Sequence, residues 1–76
     1  MEDRIKKVMS AVFEVSKIDE NSTNDTIKSW DSLKHMNLII ALEDEFQIMI
    51  PDVEVGNLIS FKSIKTIIGE IIKNAN

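Results

Sequence analysis

The chain has 76 residues, no cysteine and a formal net charge of −4. A domain of this size buries only about 60% of the surface its unfolded form exposes, so nearly every regular apolar position is committed to one core and little chain remains for a catalytic cleft. The excess of acid argues against nucleic acid and for a basic partner, and the lack of cysteine excludes a disulfide framework, a thiolate nucleophile and a zinc site. The opening Met1-Glu2-Asp3-Arg4 is charged, unlike a signal peptide, and no apolar run reaches transmembrane length. A cytoplasmic location without membrane insertion is therefore the expectation.

Ile5, Val8, Met9, Val12, Phe13 and Val15 recur at helical spacing, which predicts an amphipathic first helix over residues 3–16. Residues 17–30 are rich in Asp, Glu, Asn, Ser and Thr, side chains that compete for backbone hydrogen bonds and favour turns. They read as a long loop, pinned to the bundle by Ile18, Ile27 and Trp30. A second helix is expected over residues 32–47, stopped where Ile50 is pushed away from helical geometry by Pro51. A short helix within Asp52–Ile59 is weakened by Val53, Val55 and Gly56. Ser60 fits the N-cap of a last helix, in which Phe61, Ile64, Ile67, Ile68, Ile71 and Ile72 make one apolar face. The fold class is all-α: a small four-helix bundle of three main helices and one short one, with a long first loop.

The second helix carries the functional argument. At about 100° per residue, Leu38, Ile39, Leu42 and Phe46 fall on one side and form a core stripe. Leu33, Met36 and Ile40 fall roughly opposite, flanked by Glu43, Asp44 and Gln47. A buried central helix can be apolar all round, but an acid-bordered strip favours a docking face. Asp31 suits the N-cap, its carboxylate accepting from first-turn N–H groups, which leaves the Ser32 hydroxyl at the first helical position and pointing outward. The free N–H groups and the positive end of the helix dipole there would favour a phosphodiester on that hydroxyl.

The run Trp30-Asp31-Ser32-Leu33, followed by Ala41-Leu42-Glu43-Asp44-Glu45-Phe46 and by Ile48-Met49-Ile50-Pro51-Asp52, resembles the acyl carrier protein family. That family's signature is Asp-Ser-Leu, a helix closing on Leu-Glu-(acidic)-Glu-Phe, and an Ile-Pro-Asp segment. The resemblance covers the whole length and the order of helices, and makes residues 1–76 a single acyl carrier domain. It implies that a phosphopantetheinyl transferase installs 4′-phosphopantetheine from coenzyme A on Ser32, and that the arm's thiol carries acyl groups as thioesters. It implies a monomeric carrier that catalyses nothing itself. Leu33, Met36, Ile40, Glu43 and Asp44 would meet apolar and basic patches on the transferase and on acyl-processing enzymes, and the helices would shelter an acyl chain.

Three places depart from the commonest pattern of fatty-acid carriers. Lys34 stands where an acidic residue usually follows Ser-Leu, Trp30 where a small residue usually precedes the Asp, and Val53-Glu54-Val55-Gly56-Asn57 where the short helix is usually acidic. Fatty-acid synthesis and a dedicated pathway for polyketide, lipid, polysaccharide or aminoacyl cargo both remain open. A helical protein-interaction module without a prosthetic group, and a bundle lying on anionic lipid through Lys62, Lys65 and Lys73, are the readings outside the family. Trp30 either anchors the loop or flanks the arm. His35, with no second histidine or cysteine to share a metal, is expected to pack or to make a surface hydrogen bond. A Ser32, His35, Asp31 triad is rejected because neighbours on one turn diverge. Met36 and Met49 read as adaptable core or contact residues.

Overall fold

The apolar period of the N-terminal segment becomes helix α1, Glu2–Phe13, which buries Ile5, Val8, Met9 and Phe13. This computed structural model describes residues 1–75. Three further helices follow: α2, Ser32–Phe46; α3, Asp52–Val55; and α4, Phe61–Asn74. The core gathers the buried faces of α1, α2 and α4 together with Ile18, Ile27, Ile50 and Leu58 from the connections. Among the described residues the only strand-like pairing is an isolated bridge between Thr23 and Ser60, and no helix is long and apolar enough to cross a membrane.

Two helix ends differ from the expected ones. α1 stops three residues early because Glu14 turns left-handed at φ 57°, and the N–H groups of Glu14 and Val15 both return to the Ser10 carbonyl. Val15 still packs against the core, but from beyond the helix. α2 ends at Phe46, well before Pro51, because Gln47 turns left-handed at φ 54° and the N–H groups of Gln47 and Ile48 return to the Glu43 carbonyl. The proline therefore does not stop this helix. α3 is a single turn with no buried residue, shorter than Asp52–Ile59. The β-branched Val53 and Val55 and the following Gly56 give it little helical propensity.

The connection from Glu14 to Asp31 is long but ordered by its own side chains. Asp19 accepts from Asn21 N–H at 2.8 Å, Ser22 Oγ accepts from Asp19 N–H at 2.9 Å, and Thr26 Oγ accepts from Thr23 N–H at 2.8 Å. Ser29 Oγ donates to the Phe13 carbonyl at 2.7 Å, satisfying an acceptor left open at the end of α1. Two backbone bonds then stitch the loop to the approach of α4: Asn24 N–H to Ile59 C=O at 2.8 Å and Phe61 N–H to Ser22 C=O at 3.0 Å. α4 opens on a capping box, in which Ser60 Oγ accepts from Ser63 N–H at 3.0 Å and Ser63 Oγ accepts from Ser60 N–H at 3.1 Å.

Arg4 ties α1 to the end of α2. Its guanidinium donates to the Glu45 carboxylate at 2.8 Å and to the Glu45 carbonyl at 2.7 Å, and lies 4.4 Å from the centroid of the Phe46 ring. Glu2 pairs with Lys65 across α1 and α4; the hydrogen bond and charge of Lys65 hold the Glu2 carboxyl below its usual range. The contribution of that pair is present at neutral pH and is lost as pH falls through the depressed carboxyl value. It is small, because the pair is exposed.

Candidate functional site

The start of α2 is set by Asp31, whose extended backbone (φ −126°, ψ −176°) delivers the chain into the helix. Its carboxylate accepts from Lys34 N–H at 2.8 Å and its carbonyl from His35 N–H at 2.8 Å. A side-chain cap of this kind contributes about 1 kcal/mol. Ser32 is the first helical residue and is exposed. Among the described residues its hydroxyl has no hydrogen-bond partner, and the N–H groups of Ser32 and Leu33 find no acceptor in the protein. A nucleophilic oxygen thus stands in solvent at the positive end of a helix dipole.

His35 does not activate that oxygen. The indole N–H of Trp30 donates to Nδ1 at 3.1 Å, and Nε2 lies 2.7 Å from the Val55 carbonyl. Since Nδ1 accepts, Nε2 must carry the proton and donate it to Val55, so both ring nitrogens are used. The same relay joins the long loop, α2 and α3. Trp30 is half-buried and also stacks on Phe13 at a centroid distance of 4.3 Å, so it anchors the loop as expected.

The two sides of α2 separate cleanly. Leu38 and Leu42 are 0% exposed and Ile39 is buried, whereas Leu33, Met36 and Ile40 are 70%, 53% and 61% exposed. Phe46 packs at the core's edge beneath Arg4. The acidic residues beside the exposed strip are not equivalent. The Glu43 carboxylate is half-buried and accepts from Ile50 N–H at 2.9 Å, which fixes the turn leading to α3. Glu45 is neutralised by Arg4. Asp44 is exposed and its carboxylate is unpaired among the described residues. No group of three or more His, Asp or Glu suited to a metal occurs among those residues.

Periodicity missed two contributors to the apolar surface. Met49 and Val53 are the most exposed large apolar residues of the chain. They lie in a turn and in a one-turn helix, where no repeat marks an inside and an outside. A groove of about 500 Å³ also opens at Ser32, lined by Asn24, Trp30, Asp31, His35, Met36 and Ile59 as well. Its parts are far apart in sequence and no local pattern announces it.

A scan against family models finds no match. Among curated proteins, the chain is 38% identical to an acyl carrier protein of Campylobacter hominis over 95% of its own length and 89% of the relative's. It is 35% identical to an acyl carrier protein of Cyanidium caldarium (99% and 94%) and 36% identical to one of Buchnera aphidicola (95% and 95%). Its backbone is similar to the solution structure of a holo acyl carrier protein from Geobacter metallireducens, with a TM-score of 0.84 over 97% of this chain and 87% of that one, at 24% identity. Similarity of this degree along nearly the whole of each relative, on a matching course of four helices, makes the chain a member of the acyl carrier protein family.

Proposed function

We propose that this chain carries acyl groups on a 4′-phosphopantetheine arm joined by a phosphodiester to Ser32 Oγ. The observation that carries the reading is the exposed, unengaged hydroxyl at the N-terminus of α2, next to the apolar strip that the core does not use. The surroundings fit the group. Asp31 satisfies the N–H of Lys34 and leaves those of Ser32 and Leu33 available to a phosphate oxygen. When attached, the arm supplies a terminal thiol that holds the acyl cargo as a thioester.

The protein's own work is display and recognition, not catalysis. Leu33, Met36 and Ile40 offer an apolar patch to a phosphopantetheinyl transferase and to acyl-processing enzymes, and Asp44 offers charge to their basic surfaces. Glu43 serves chiefly by holding Ile50 and the path to α3 in place. Such contacts must release quickly, so charge acts more on encounter rate than on residence time. The pathway is either fatty-acid biosynthesis or a dedicated acyl transfer. Lys34, Trp30 and the stretch Val53-Glu54-Val55-Gly56-Asn57, with its single acidic residue, support the dedicated one.

The test is intact-mass analysis after incubation with coenzyme A and a promiscuous phosphopantetheinyl transferase. The expected result is addition of one arm to the wild type and none to Ser32→Ala. A wild type that stays unmodified would sink the carrier reading and favour a plain protein-interaction module.

A further inference from the structure

Charge is not spread evenly over this acidic chain. Of its nine lysines and arginines, Arg4, Lys34 and Lys65 pair with the carboxylates of Glu45, Glu14 and Glu2. Lys6, Lys7 and Lys17 line a groove of about 540 Å³ between α1 and the start of the long loop, together with Ala11 and the nearly buried Ile18. No carboxylate lines it. A second groove, of about 730 Å³, lies within the loop and meets the first at Lys17; Lys28 lines it above the nearly buried Phe13 and Ile27. Its two acids are already engaged, Glu14 by Lys34 and Asp19 by the N–H of Asn21. Lys6 also lies 5.4 Å from the centroid of the Phe61 ring, but none of the four lysines forms an ion pair among the described residues. The grooves thus make one cationic trough with an apolar bed. It shares no residue with the groove at Ser32 or with the strip of Leu33, Met36 and Ile40.

We propose that this trough docks an acidic segment of a partner protein, in which carboxylates alternate with apolar side chains. The occupant follows from charge and shape. Four unpaired ammonium groups call for anions, and the apolar bed between them calls for side chains that a free phosphate lacks. The surface is concave, so an extended segment reaches Ile18 and Ile27 where a flat bilayer does not. The net charge of −4 also opposes both an anionic membrane and nucleic acid. Exposed charge pairs are individually weak, which suits a contact that forms and releases. A partner held here leaves Ser32 and the outer strip of α2 uncovered. It would keep the carrier near its enzymes at high effective concentration without competing for the face they use. The inference stands whatever Ser32 carries.

The probe is a short peptide alternating glutamate and valine, titrated into the isotopically labelled protein at low ionic strength and followed by amide chemical shifts. The largest shifts should fall on Lys6, Lys7, Lys17 and Lys28 and leave Leu33, Met36 and Ile40 unmoved. This peptide should bind about ten-fold more tightly than one alternating glutamate and glycine, because the valines add apolar contact. Lys7→Glu combined with Lys17→Glu, two exposed changes that break no ion pair of the fold, should weaken binding about ten-fold with the helical circular dichroism unchanged. Equal affinity for the two peptides, or shifts centred on α2, would overturn the trough as a docking site. So would binding of phosphatidylglycerol vesicles through the same lysines without binding of the peptide, which would make this a lipid-contacting face.

Discussion

Replacing Leu42 with alanine is expected to lower stability by about 2–5 kcal/mol, the range for removing a buried leucine side chain and leaving part of its volume empty. The same replacement at Leu33, on the same helix, should stay within about 0.5 kcal/mol. The contrast follows from the position of each: Leu42 is enclosed among the buried faces of the bundle and Leu33 is 70% exposed. In chains this short a single core rarely supplies more than about 3–5 kcal/mol in total. Leu42→Ala should therefore populate unfolded protein even without denaturant. Urea titrations followed by circular dichroism would measure both variants. Similar losses would mean that the strip beginning at Leu33 is part of the core, and the docking surface would go with it.

Asp44→Lys is expected to slow loading by a phosphopantetheinyl transferase on the order of ten-fold at low ionic strength, the lower end of what electrostatic steering contributes to association. Helical circular dichroism should not change, because the Asp44 carboxylate holds nothing in the fold. The difference should shrink near 1 M salt, where the screening length falls to about 3 Å. Charge reversal at Glu43 would be a poorer probe, since it also removes the acceptor of Ile50 N–H, and Glu45 is already matched by Arg4. Equal loading rates for wild type and Asp44→Lys at low salt would show that the acidic end of α2 does not guide the encounter.

Much of this architecture is legible in the sequence because its causes are local. The inside and outside of α2, the cap at Asp31 and the cap at Ser60 each depend on side chains within a turn or two of one another, and period and spacing capture them. Glycine is the usual signal for a left-handed helix end, and neither α1 nor α2 provides one. Glu14 and Gln47 take that conformation instead, so a reading by apolar period overshoots both ends. The occupancy of charge is likewise hidden. Glu43, Asp44 and Glu45 look alike in the sequence, but a backbone amide seven residues away holds the first and an arginine 41 residues away holds the last. The bond from His35 to Val55 spans 20 residues, joins two different helices and has no sequence signal at all.

The left-handed turns at Glu14 and Gln47 have an energetic consequence. A side chain bearing a β-carbon in that conformation gives up roughly 1–2 kcal/mol, and both sites are exposed, with room for the residue that would avoid the penalty. The domain thus keeps two reserves of stability undrawn, at the C-terminal ends of α1 and α2. Its working state lies closer to melting than its backbone course requires, as is usual for proteins selected to function and not to endure.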